Sequence, residues 1–193
     1  MERLAGNRID LNKSPFDQTT FLGRLKHYAW VTDPRLSFRS GQQLHDAKDL
    51  VEKYKRGEEP PGTTDTQVRQ AQQLYLSAFH PDSGTLQNVF GRMSFQVPGG
   101  MVLIGAMITF YKSTAAIVFW QWTNQSFNAL VNYTNSNATT EVSGKRLLTA
   151  YTSATTSALV VALGLKRLLS GRASPMLQRF VPFAAVAASN AVN

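Results

Sequence analysis

The sequence predicts an all-α protein: a water-facing helical segment over residues 1–92, then a membrane region over residues 93–193. Three observations carry that expectation. Charge is divided unevenly, with 13 Lys/Arg and 11 Asp/Glu in residues 1–92 but 7 Lys/Arg and Glu141 alone in residues 93–193. Uncharged apolar runs of helical length fill the second half. In the first half apolar residues return at spacings of three and four, the period of a helix rather than of a strand.

Ser40 to Arg56 reads as a helix whose stripe is Leu44, Ala47, Val51 and Tyr54, with Ser40 and Gln43 as a capping box and Gly57, Pro60 and Pro61 as its stop. A second helix follows, with Thr64 and Gln67 as its box, Val68, Ala71, Tyr75 and Ala78 as its stripe and Pro81 as its end. Together they suggest a helical hairpin packed face to face. Upstream, FLGRLKHYAWVTDPR mixes aromatics with bases and suits either packing or an amphipathic segment on a membrane surface.

The second helix runs into His80-Pro81-Asp82. J-domain co-chaperones carry the same tripeptide after a strongly basic helix, whereas TQVRQAQQLYLSAF has Arg69 as its only charge. A co-chaperone role is therefore set aside. Pro81 forces His80 out of helical geometry, Asp82 and Ser83 can bind backbone donors, and Gly84 permits the turn. His80 is either structural or a titrating group just ahead of the apolar half.

The first span is expected near 98–122, within VPGGMVLIGAMITFYKSTAAIVFWQW, where Lys112 is the single charge in 26 residues. As one helix it would reach about 39 Å, beyond the roughly 30 Å of a bilayer's hydrocarbon core, with Trp120 and Trp122 marking an interface. The second span is Leu147 to Leu165, 19 uncharged residues between Lys145/Arg146 and Lys166/Arg167. Its Thr, Ser and Ala content favours close helix contact. A third, Phe180 to Asn193, is 14 residues long and so either interfacial or incomplete.

After the first run, Gln121, Gln125, Asn128, Asn132 and Asn135 fall four, three, four and three residues apart and line one helical stripe. A carboxamide donates and accepts at once. Such a stripe suits a zwitterion, which needs an acceptor for its ammonium and a donor for its carboxylate, and avoids burying a fixed charge. It equally suits hydrogen bonds that join membrane helices to each other. Asn124, Asn132 and Asn137 begin N-x-S/T patterns. Two of them lie in the expected helix and nothing indicates secretion, so glycosylation is not expected.

The basic excess of the second half lies between apolar runs, which argues for a bilayer as partner and against nucleic acid. The sequence has no cysteine, which excludes disulfides, thiolate metal sites and a Cys nucleophile. His27, His45 and His80 lack metal-ligand spacing, and no phosphate loop or Ser/His/acid pattern is present. No enzyme activity, metal or cofactor is expected. The N-terminus mixes acids and bases and shows no cleavable targeting segment.

Taken together, FDQTTFLGRLKHYAWVTDPR, AFHPDSG, GRMSFQVPGGM, FWQWTNQSFNALVNYTN, AYTSATTSALVVALGL and RFVPFAAVAASNAVN resemble the sideroflexin family along nearly the whole chain. The resemblance implies a helical protein of about five spans in a mitochondrial membrane, usually the inner one. It implies movement of serine, and of other small neutral amino acids, for one-carbon metabolism. It places functional weight on His80, Pro81, Asp82, Asn124, Gln125, Ser126 and Asn128, and Asn132 joins them from the stripe. Ser83 stands where the family has Thr, and SPFDQ, Ser14 to Gln18, where it generally has PRWDQ. Family members continue through a basic loop and two further spans, so the expectation is transport impaired in this chain alone. The competing reading is a non-transporting membrane adaptor that holds partners with the front hairpin; an iron- or tricarboxylate-linked carrier is a further alternative.

Overall fold

In a computed structural model, residues 8–136, 143–169, 171 and 174–192 are described, and among them helices dominate and no strand forms. The all-α expectation holds. Asn137 and Asn193, singled out in the sequence, lie outside the described residues. The chain divides into two compact units, Met1–Val97 and Pro98–Asn193.

The first unit contains α1 (Phe21–Val31), α2 (Gly41–Arg56) and α3 (Asp65–Ala78), with 3-10 turns at Pro34–Phe38, Val89–Gly91 and Met93–Phe95. Both expected capping boxes form. The Gln43 amide donates to Ser40 Oγ at 3.2 Å while Gln43 Oε1 accepts from Ser40 N at 3.1 Å, and Thr64 and Gln67 repeat the exchange at 3.3 and 2.8 Å. Gly57 closes α2 at φ 79°, a left-handed conformation that glycine adopts without strain. Leu44, Ala47 and Val51 of α2 are buried against α3, where Val68, Ala71 and Ala78 are buried and Tyr75 half-buried.

The glutamines of α3 act as ties. Gln72 is buried within the apolar face; its Nε2 donates to the carbonyls of Leu11 and Lys13 at 2.9 and 3.4 Å, and its Oε1 accepts from Arg69. Gln73 Nε2 donates to the Trp30 carbonyl at 2.7 Å at the end of α1. A buried amide is tolerated where both its ends are satisfied.

The second unit carries α4 (Gln96–Thr109, which begins at the boundary), α5 (Thr114–Thr134), α6 (Gly144–Leu169), α7 (Pro175–Arg179) and α8 (Val181–Val192). The single span expected near 98–122 is corrected: the helix breaks between Thr109 and Thr114. Ser113 supplies the reason, because its Oγ accepts the Ala116 amide at 3.0 Å and starts a new helix there. Trp120 and Trp122 accordingly sit inside α5 rather than at the end of a span.

Among the described residues one helix, Gly144–Leu169, is long and apolar enough to cross a membrane. It packs on α5 and α8 through alanines four residues apart, Ala154, Ala158 and Ala162, all buried, and Ala162 meets Ile117 and Ala185. Small side chains let these helices approach closely. Val118, Phe119, Trp122, Leu148 and Val160 point outward on α5 and α6, where a water-facing helix would carry charge.

Candidate functional site

α5 is the polar helix of the second unit, and its amides do not share one environment. Gln121 is fully buried, Gln125 and Asn124 are buried, Asn128 is half-buried and Asn132 is exposed. Asn135, the last of the five-amide stripe, donates from Nδ2 to the Val131 carbonyl at 2.9 Å and caps its own helix end. The buried polar cluster is therefore the N-terminal half of the stripe joined by Asn124, which stands three residues after Gln121 and four before Asn128.

Gln121 is oriented by α8: its Nε2 donates to the Pro182 carbonyl at 3.0 Å. That leaves Gln121 Oε1 a buried acceptor without a protein partner, and Asn124 Nδ2 a buried donor without one. Residues at i and i+3 share a helix face, so acceptor and donor stand one turn apart on α5. Each unmade hydrogen bond costs about 1–3 kcal/mol, which makes a pair of them on one helix a feature that calls for a ligand, water or ion.

Two residues past Asn124, Ser126 Oγ and Tyr151 Oη on α6 are 2.9 Å apart. Tyr151 also borders a cavity of about 30 Å³ between α5 and α6, together with Gln125, Asn128, Asn132, Leu147, Ala150 and Ala154. Three residues singled out in the sequence thus meet at one small space. Its volume matches about one water molecule and not an amino acid. Tyr151 carried no signal in the sequence, since a Tyr in a Thr- and Ser-rich helix reads as one more small polar contact.

His80, Pro81 and Asp82 belong to the first unit and form a closed turn. His80 is buried, and its Nδ1 accepts the amides of Asp82 and Ser83, both at 3.2 Å. Accepting at Nδ1 places the ring hydrogen on Nε2. The His80 amide donates to the Thr85 carbonyl at 2.9 Å, Gly84 N returns to the His80 carbonyl at 2.9 Å, and Gly84 takes φ 63°. Phe79 pairs with Leu86 across the base of the turn. From α2, Lys48 Nζ donates to the Gly84 carbonyl at 2.8 Å, a clamp the sequence did not reveal because its partners lie 36 residues apart. Pro81, Asp82 and Ser83 face outward.

Among the described residues no three of His, Asp and Glu converge as a metal site would require.

Comparison with known proteins agrees with these motifs. The sideroflexins as a family match residues 10–193. Sideroflexin-2 of Drosophila melanogaster is 55% identical over 96% of this chain and 57% of its own length, and Sideroflexin-2 of Mus musculus is 53% identical over 98% and 58%. Sideroflexin-3 of Homo sapiens is 50% identical over 96% and 57%. The chain spans a little under three-fifths of the length of these relatives. No solved structure matches. A match from residue 10 onward, with identities of half or more over nearly all of the sequence, establishes that this chain belongs to the sideroflexin family.

Proposed function

We propose that this chain forms the substrate-contacting part of a multi-span carrier in a mitochondrial membrane, the inner membrane for preference. Its cargo on this reading is serine and other small neutral amino acids destined for one-carbon metabolism. The observation that supports it most is the unpartnered pair on α5, Gln121 Oε1 and Asn124 Nδ2. An acceptor and a donor on one helix face match the ammonium and carboxylate of a zwitterion without burying a fixed charge.

The cavity of about 30 Å³ beside Gln125 and Asn128 is closed to such a solute, so entry requires α5 and α6 to separate. Alternating access works by one group of helices rocking against another around the site. The relatives are longer than this chain, and their additional length supplies candidates for the opposing group. The test is radiolabelled serine uptake into liposomes by a version extended to the length of the relatives. Uptake supports the proposal; a correctly inserted protein that takes up none contradicts it and favours the adaptor reading.

A further inference from the structure

The end of α6 opposite its start at Gly144 faces a second, larger space. A cavity of about 470 Å³ is lined there by Tyr111, Lys112, Lys166, Gln178, Arg179 and the first residues of α8. Lys112 comes from the break between α4 and α5, Lys166 from the last turn of α6, and Arg179 from the end of α7. Three of the seven bases in residues 93–193 therefore meet at one cavity, in a region whose single acidic residue is Glu141.

Their arrangement is held in place. Lys166 Nζ donates to the Lys112 carbonyl at 2.7 Å and to Thr114 Oγ1 at 3.1 Å, joining α6 to the start of α5. The Lys112 carbonyl is available because the helix breaks there. The Arg179 guanidinium lies 5.9 Å from the ring centre of Tyr111, which is buried. Val181 and Pro182 also line the space, so α8 turns the positive end of its dipole toward it. Among the described residues no carboxylate pairs with Lys112, Lys166 or Arg179.

From this cavity we infer a binding site for a phosphate group. Three cations from three elements suit an anion with several oxygens, and the volume admits a head group rather than a bare ion. Position favours a lipid source: the site lies at the terminus of α6, a helix long and apolar enough to cross a bilayer, and such a terminus matches the depth of the phosphates of the lipid surface. The inference is independent of what the α5 amides bind.

Native mass spectrometry of the full chain in detergent doped with equal phosphatidylglycerol and phosphatidylcholine tests it. Expected is selective retention of the anionic lipid, weakened roughly 10- to 30-fold in Lys112→Gln/Arg179→Gln and kept in Arg179→Lys. Lys145→Gln/Arg146→Gln removes the same charge from the other end of α6 and should bind as the parent does. Inorganic phosphate as competitor separates the sources: no displacement assigns the site to a head group, and displacement assigns it to a free phosphate, either of which upholds a phosphate site. Equal retention of both lipids, or equal loss in the Lys145/Arg146 control, overturns it.

Discussion

Gln121 on α5 and Pro182 on α8 are joined by one hydrogen bond of 3.0 Å from the amide nitrogen, which leaves the oxygen of the same side chain without a protein partner. Replacing Gln121 with Leu removes one interhelical bond and one orphaned acceptor together. The expected change in stability is small, within about 1 kcal/mol, because the two effects oppose each other. Thermal unfolding in detergent checks this, and a loss of several degrees with intact serine binding would assign Gln121 to helix joining alone.

His80 is expected to be a fastener of its turn. Its Nδ1 serves two amides, so His80→Ala should cost about 1–3 kcal/mol and release the Asp82 and Ser83 amides to hydrogen exchange. His80→Asn, whose side-chain oxygen can accept from amides two and three residues on, should keep most of that protection. Equal exchange in parent and Ala variant would show that the ring's acceptor is dispensable.

Two glycines separate crowding from helix propensity. A Cβ on Gly23 would lie 1.7 Å from the Asp17 carbonyl oxygen, whereas one on Gly41 meets nothing within 4 Å. Gly23→Ala should destabilise by about 2–4 kcal/mol, and Gly41→Ala should be neutral or stabilise by up to about 1 kcal/mol. Denaturant midpoints of the two variants give the comparison.

Asp33 provides a pH dependence. Hydrogen bonding from the Arg35 side chain holds its carboxyl below the usual carboxylate range, with the Arg35 amide and charge acting in the same direction. A lowered folded-state pKa adds stability that is present above the unfolded value, about 4, and is lost as pH falls through the folded one. Stability should therefore decline on acidification in that window, and Asp33→Asn should flatten the decline when unfolding is followed from neutral pH downward.

The front half was legible because its signals are local. Each capping box, the Gly57 stop and the α2 and α3 stripes depend on residues within four positions of one another. The back half was harder. A run apolar on every side carries no period, so the break that Ser113 makes was invisible beside 26 residues of apolar length. The amide stripe followed from spacing, but spacing does not report burial: Asn132 shares Gln125's face and is exposed, whereas α8 meets α5 near its start, at Ile117 and Gln121. Asn124 entered through the family resemblance alone. Tyr151, Lys48 and the cavity of Lys112, Lys166 and Arg179 arise from partners 25 or more residues apart, a distance at which sequence pattern is silent.

On the proposed reading Gln121 Oε1 and Asn124 Nδ2 hold a zwitterion, and serine uptake by Gln121→Leu/Asn124→Leu tests that role. In liposomes holding the version extended to the relatives' length, uptake should fall to background while the variant still resists carbonate extraction. Uptake at the parent's rate from an equally inserted variant would contradict it.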